Sequence, residues 1–351
     1  MVLAMCALSC GAFAETSTSH PDGTAGWRIA IDNDLFASSS TDRDYTGGLS
    51  VTLTGREATD WPISLDPILR WIDPIVPRET GQPGATHESP LRALQIGVLA
   101  FTPQDLRSSE PLHDDRPYAS LVFASNSRTY VLNQGRTVYD TSFALGVLGL
   151  DVAAAVQRAV HEATQSDKRA AGWENQISDG GEPTFRVTLA RQALLAASTN
   201  DAGLSADLKW RAEVSAGYLT EANVALTGRW GILNTPWWSM SPERADYMMQ
   251  PVPVIGPLSP AGRRELYVWA GAKARVRAYN VLLQGQFRDS AVELPASQLK
   301  TLIGEAWFGL TWQISRNYWL SHVSHYQSPE IKAGRGNRDL VWAGLILTHN
   351  F

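Results

Sequence analysis

The chain has 351 residues, 30 Lys+Arg against 35 Asp+Glu, for a net charge of −5. That balance lacks the basic footprint of a general nucleic-acid binder, and an apolar content of 44% is too high for a disordered chain. No apolar run approaches the roughly 18 residues of a transmembrane helix, yet 13 Trp and 10 Tyr are the aromatics that collect at membrane–water interfaces.

Residues 1–14 read MVLAMCALSCGAFA, uncharged and apolar, with Ala12 and Ala14 forming an Ala-x-Ala processing pattern before Glu15. The segment reads as a secretory signal; its lack of a basic start suggests an incomplete upstream end. Residues 15–351 then form one domain. Both cysteines, Cys6 and Cys10, lie in the signal, so the domain has no disulfide and no thiolate metal site.

Beyond it the pattern is two-residue alternation. Predicted strands follow at about 25–34, 45–55, 91–102, 118–130, 138–149, 184–197, 204–218, 219–230, 264–280, 299–313, 316–327 and 339–351. The clearest runs from Arg263 to Asn280. Leu266, Val268, Ala270, Ala272, Ala274 and Val276 hold one face, and Tyr267, Trp269, Lys273, Arg275 and Arg277 the other. Leu208, Trp210, Ala212 and Val214 likewise oppose Lys209, Arg211 and Glu213. Charges inside strands this long, always opposite an apolar row, fit a bilayer barrel with apolar residues toward lipid and polar ones in the lumen. A soluble core would want more bulk than these Ala-rich rows supply. Phe351 ends the last strand on its apolar face, with Val341, Ala343, Leu345 and Leu347. Twelve is an even count, as single-chain bacterial barrels require, so Val281–Gly285 is assigned to strand end and loop. The fold class is therefore all-β, a transmembrane antiparallel barrel of about 12 strands. Long insertions at 56–90 and 234–262 are marked as functional candidates. Residues 151–165 break the alternation and place Val156, Ala159, Val160 and Ala163 on one face of a helix at the barrel rim.

Four segments carry possible chemistry. IDNDLF, from Ile31, and TDRDYTGG, from Thr41, form a rim hairpin rich in oxygen ligands: Asp32, Asn33, Asp34, Asp42 and Asp44 suit a hard cation such as calcium, although the spacing is not an EF-hand and a polar turn is the plainer reading. Strand parity puts Asn33 on the outer face and points Thr46 inward. His161, in the predicted helix, is the natural general base near neutral pH, with Asp167 or Glu174 as partner carboxylate and Trp173 as interface anchor; the ordinary reading is a structural or solvated histidine. HDDRPYAS, from His113, is read as structural, with Arg116 pairing Asp114 or Asp115. SHVSHYQS, from Ser321, places Ser324 and His322 on one strand face and His325 on the other, a conceivable acyl-transfer pair without a Gly-x-Ser-x-Gly elbow.

DNDLF, TDRDYTGG, DRPYAS, VQRAVH and GWENQI, in this order over nearly the whole chain, resemble the lipid A 3'-O-deacylase family of Gram-negative outer membranes. The resemblance implies a twelve-stranded barrel in that membrane that hydrolyses the ester of the 3'-acyloxyacyl chain, with calcium (Ca2+) as cofactor. It puts the catalytic histidine at His161, the Asn-Asp pair at Asn33 and Asp34, and the essential hydroxyl at Thr46. The acid that follows the histidine falls nearest Asp167, where the family has glutamate, and the basic residue of the second long loop has no clear counterpart in 56–90. On this reading His161, Asn33 and Thr46 are catalytic, and Asp34, Asn33 and Asp167 are metal ligands. The expected partners are lipid A and outer-membrane lipids, with no nucleic acid and with a monomeric barrel. The rival readings are an outer-membrane phospholipase using Ser324 and a passive pore.

Overall fold

The computed structural model describes residues 25–34, 44–76, 90–152, 154–155, 170–257 and 262–351. Twelve long strands close into an antiparallel barrel: β1 Gly26–Asn33, β2 Asp44–Thr54, β3 Leu91–Thr102, β4 Ala119–Leu132, β5 Thr137–Leu148, β6 Glu182–Thr199, β7 Ser205–Gly217, β8 Leu219–Ile232, β9 Leu266–Asn280, β10 Leu302–Ser315, β11 Tyr318–Gln327 and β12 Leu340–Asn350. Each pairs with its sequence neighbour, and β1 closes on β12 from Gly26↔Asn350 to Asn33↔Ala343. All twelve expected strands are present within a few residues of their predicted bounds. Both ends of the barrel sequence and three of the four shortest connections, 133–136, 200–204 and 316–317, lie at one end, assigned as the periplasmic one, from which the long segments 55–90 and 233–265 also leave.

The alternation sets the two faces as expected. Val214, Val224, Leu226, Leu266, Val276 and Phe308 are exposed outward, while Lys209, Arg211, Lys273, Arg275 and Arg277 are buried in the lumen. Burying these cations is costly unless each is paired. Arg211 meets Asp140 at 2.6 Å and Glu213 at 2.7 Å, and Arg277 meets Glu221 at 2.7 Å. Across β9 and β10 two tryptophans lie over glycines: Trp307 fills the space above Gly271, and Trp269 the space above Gly309.

The long segment between β8 and β9 enters the lumen as a plug. Lys209 Nζ donates to the carbonyl of Met240 at 2.6 Å, Lys273 Nζ to that of Ala245 at 2.7 Å, and Ser127 Oγ to that of Pro251 at 2.9 Å. The lumenal charges thus satisfy the plug's backbone, which water would otherwise have to solvate. Toward the extracellular end the interior turns apolar, with Tyr45, Phe101, Tyr247, Trp342, Val281 and Leu282 in one cluster. Val281–Gln284 is a helical turn and not the strand end expected; Asn280 caps it by accepting from the Leu282 amide at 3.1 Å. The filled lumen removes the basis for the pore reading. The insertion after β2 contains two helices the alternation did not reveal, α1 Glu57–Asp60 and α2 Asp66–Ile72.

Candidate active site on the outer rim

At the extracellular ends of β1, β2 and β3 the register is broken once. Tyr45 pairs Phe101 and Gly47 pairs Ala100, leaving Thr46 as a bulge residue. A bulge turns one side chain against the strand's parity. Thr46 therefore does not point inward as parity predicted. Its Oγ1 shares a 2.7 Å hydrogen bond with Oγ1 of Thr102, whose parity on β3 is that of the exposed Ile96. The unpaired carbonyl of Thr46 accepts from Asn33 Nδ2 at 2.5 Å. Asn33 shares its outward parity with Ile29 and Ile31, as expected. Gly47 makes the bulge possible: at φ +153° a Cβ would sit 2.8 Å from the Asp32 carbonyl oxygen and 3.1 Å from Asn33 Nδ2. Asn33, Thr46 and Thr102 thus form a polar cluster on the outer side of the wall; Asp34, which strand parity puts on the inner face with Asp32, follows Asn33 just past the end of β1 and is buried.

The acidic hairpin does not act as one ligand cluster. Asp32 faces the lumen and occupies the space above Gly344. Asp44 is engaged by Arg338 at 2.7 Å and lies 3.7 Å from Arg116. Asp42 lies outside the described residues. Asp34, the amide oxygen of Asn33 and the Thr46 hydroxyl are hard-donor groups at the rim next to the bulge. No group of three or more His, Cys, Asp or Glu poised for a metal occurs among the described residues. The donor chemistry nonetheless fits calcium, which takes carboxylate, amide and hydroxyl oxygens. A complete shell needs ligands from the neighbouring segment, from water or from substrate.

His161 and Asp167 lie outside the described residues. Both flanks of their segment are described, however, and both dock on the outer side of β3. Ala154 and the half-buried Ala170 join Ala100, Leu106, Tyr118 and Trp173 in one apolar cluster, and the amide of Ala171 donates to the Leu106 carbonyl at 2.8 Å. Residues 152, 154 and 155 are helical; the expected rim helix from residue 156 on lies outside the described residues. Trp173 is not an interface anchor but is buried against Tyr118, ring centroids 5.0 Å apart. Glu174 is exposed. Gln176 accepts from Ser120 Oγ at 2.9 Å, fixing the returning chain to the start of β4.

DRPYAS is structural, as read, but with different partners. Arg116 pairs Glu330 rather than Asp114 or Asp115; Asp115 pairs Arg338 at 2.8 Å and Asp114 pairs Arg335 at 2.7 Å. These bonds tie the segment after β3 to the segment between β11 and β12. Burial alone would raise the Glu330 pKa, but Arg116 and Arg277, with a hydrogen bond from Tyr247, hold it down at about 2. In SHVSHYQS, Ser324 Oγ lies 3.3 Å from His322 Nε2 on the lipid side of β11, while His325 is buried at 3.3 Å from Glu305 and stacked on Trp342. Ser324 sits in mid-strand between Phe308 and Ala343, where backbone amides belong to the ladders and are not available as an oxyanion hole. Thr102 was missed by sequence reading; its only sequence signal is its position at the end of a strand predicted to pair with the Asp-Tyr-Thr strand.

Fold and site together define a closed outer-membrane barrel whose polar cluster faces the lipid side of its extracellular rim. The family model for "Outer membrane protein LpxR" matches residues 1–351, and the chain belongs to that family of the Gram-negative outer membrane. Among solved structures it is similar to LpxR from Salmonella typhimurium, at 16% identity over 93% of this chain and 100% of that one, with a TM-score of 0.69. It is less similar to the β domain of the Bordetella autotransporter BrkA, at 10% identity over 94% and 99% of the two chains, TM-score 0.40. Comparison with curated proteins gives no match.

Proposed function

We propose that the protein is a lipid A 3'-O-deacylase that hydrolyses the ester of the 3'-acyloxyacyl chain with calcium as cofactor. Membership of the LpxR family supports the coarser statement, an outer-membrane enzyme that modifies lipid A. The observation that carries the finer one is the outward cluster of Asn33, Thr46 and Thr102, with both flanks of the His161 segment docked beside it. A site on the outer wall at the extracellular rim lies on the side of outer-leaflet lipid, beneath a cover that leaves Thr46 and Thr102 buried, and is closed to solutes in the lumen.

In this mechanism His161 takes a proton from water as the water oxygen attacks the ester carbonyl, and the proton passes to the departing sugar oxygen. Asp34 and the Asn33 amide oxygen would hold calcium, with Asp167 as a further ligand. Bound there, the ion supplies Lewis-acid polarisation of the carbonyl and neutralises the developing oxyanion. Asn33 is oriented by its donation to the Thr46 carbonyl, and Thr46 is oriented by Thr102. The substrate is lipopolysaccharide, and one barrel suffices for the reaction.

The test is mass spectrometry of lipid A incubated with purified protein, its His161→Ala variant, and wild type after chelation. Loss of the 3'-acyloxyacyl mass with wild type alone is expected. Full activity of His161→Ala, or undiminished activity in chelator, would remove this mechanism.

A further inference from the structure

The insertion after β2 is folded against the outside of the barrel near its periplasmic end. On β4, Asn126 and Arg128 share the outward parity of Val122 and Ala124, and on β5 Thr141 shares that of the exposed Leu145, yet all three are buried. The insertion covers them. Asn126 Nδ2 donates to the Ala58 carbonyl at 2.9 Å and its Oδ1 accepts from the Leu65 amide at 2.7 Å. Arg128 pairs Asp66 at 2.6 Å and also pairs Asp73, while Asp66 lies 3.5 Å from Arg92, the outward neighbour of Arg128 on β3. Without the insertion, two adjacent arginines would stand on the lipid side of the wall. They lie above the outward Tyr130 and Tyr139, the aromatic level that marks the water boundary of a barrel.

The insertion's outer side carries an apolar patch, flanked by the exposed charges of Arg56, Glu57, Asp60 and Arg70. Trp71 is 84% exposed and Ile75 62%, and Trp61, Ile63 and Ile68 are also exposed. In α2 Asp66 is buried together with Leu69, while Ile68 and Trp71 are outside beside the exposed Arg70. As in the barrel wall, the paired charges Asp66, Asp73, Arg92 and Arg128 face inward while Trp61, Ile68, Trp71 and Ile75 face out, and the long side chain of the exposed Arg70 can reach toward headgroups.

We propose that residues 56–76 are a lipid-immersed cladding of the barrel, seated in the periplasmic leaflet of the outer membrane through Trp61, Ile68, Trp71 and Ile75. The occupant of the patch is phospholipid. Asp66 and Asp73 neutralise the wall arginines that the leaflet would otherwise meet, and the two tryptophans suit the interface between acyl chains and headgroups. The reading rests on the barrel's place in the membrane and not on its chemistry.

A nitroxide spin label on Trp71→Cys tests it, in the full chain carrying Cys6→Ser and Cys10→Ser and folded into phosphatidylethanolamine/phosphatidylglycerol vesicles. Val224→Cys on the bare wall and Asp201→Cys in the turn after β6 serve as lipid and water references. The readout is the ratio of collisions with oxygen to collisions with a water-soluble nickel chelate. The Trp71 ratio should fall on the Val224 side of the midpoint between the references. A ratio on the Asp201 side would mean an aqueous patch, free or awaiting a periplasmic protein, and would overturn the proposal. Ile75→Cys gives the same readout if Trp71→Cys fails to assemble, and a nickel-dominated label there is equally decisive.

Discussion

Glu330 offers a quantitative probe of the rim. Its carboxylate accepts hydrogen bonds from Arg116, Arg277 and Tyr247, binding the segment between β11 and β12 to the segment after β3, to β9 and to the plug. Glu330→Gln keeps size and shape but leaves two buried guanidinium groups short of a countercharge. Breaking a fully buried pair costs about 3–5 kcal/mol. Here Arg277 retains Glu221 at 2.7 Å and Arg116 retains Asp44 at 3.7 Å, so the lower end applies. The pKa of Glu330 gives an independent figure. A fall from 4.5 to about 2 corresponds to roughly 3–4 kcal/mol at about 1.4 kcal/mol per pH unit. Because the folded value is depressed, this stability is fully present above 4.5 and is lost as pH falls toward about 2. Urea unfolding in detergent micelles, followed by tryptophan fluorescence, should show the variant destabilised by about 3 kcal/mol at neutral pH. The gap should close between pH 4.5 and about 2. Equal stability at neutral pH, or a gap unchanged across that window, would refute the reasoning.

Three further outcomes follow from the site and wall. Thr102→Val should remove the partner of the Thr46 hydroxyl, a hydrogen bond worth about 1 kcal/mol, and lower lipid A deacylation by roughly fivefold, with Thr102→Ser restoring it; unchanged turnover in the valine variant would release Thr46 from that role. Asp34→Ala should weaken calcium binding and turnover together while the heat-modifiable barrel still forms, as calcium titration of activity would show. Gly309→Ala should press a Cβ to 2.3 Å from the Trp269 ring and 2.5 Å from the His322 carbonyl. Overpacking of this kind costs about 1–3 kcal/mol, readable as a lower urea midpoint with activity per folded molecule unchanged.

The barrel was legible because its rule is local. Each of the twelve strands carries its own two-residue alternation, so Lys273 and Val276 could be sent to opposite sides from the sequence alone. The plug was not legible, because nothing local in the Pro-rich run after β8 says that its carbonyls will meet Lys209 and Lys273 from other strands. The same holds for the insertion after β2, whose polar inward face is recognisable only against Arg128. At the site, Asn33 was placed correctly by parity and Thr46 was not. Parity counts residues, and a bulge adds one that the sequence marks only by Gly47-Gly48. Arg116 was paired locally with its neighbours, whereas its partner Glu330 is 214 residues away.

A barrel filled from both ends has a particular consequence for catalysis on a lipid. The plug at the periplasmic end and the Tyr45–Trp342 cluster beneath the extracellular mouth leave the lumen as packed protein, so the wall is braced from inside. The bulge at Thr46 belongs to β2, and its neighbour Tyr45 is anchored in that inner cluster against Phe101, ring centroids 5.3 Å apart. One residue thus packs into the inner cluster and the next is held by Thr102 on the outer side of the wall. Tyr45 on the inner side and the Asn33–Thr46–Thr102 bonds on the outer side together fix the geometry of the bulge that Gly47 permits. A lipid substrate moving laterally in the outer leaflet then meets donors that are already in position, and its acyl chain never has to leave the bilayer to reach them.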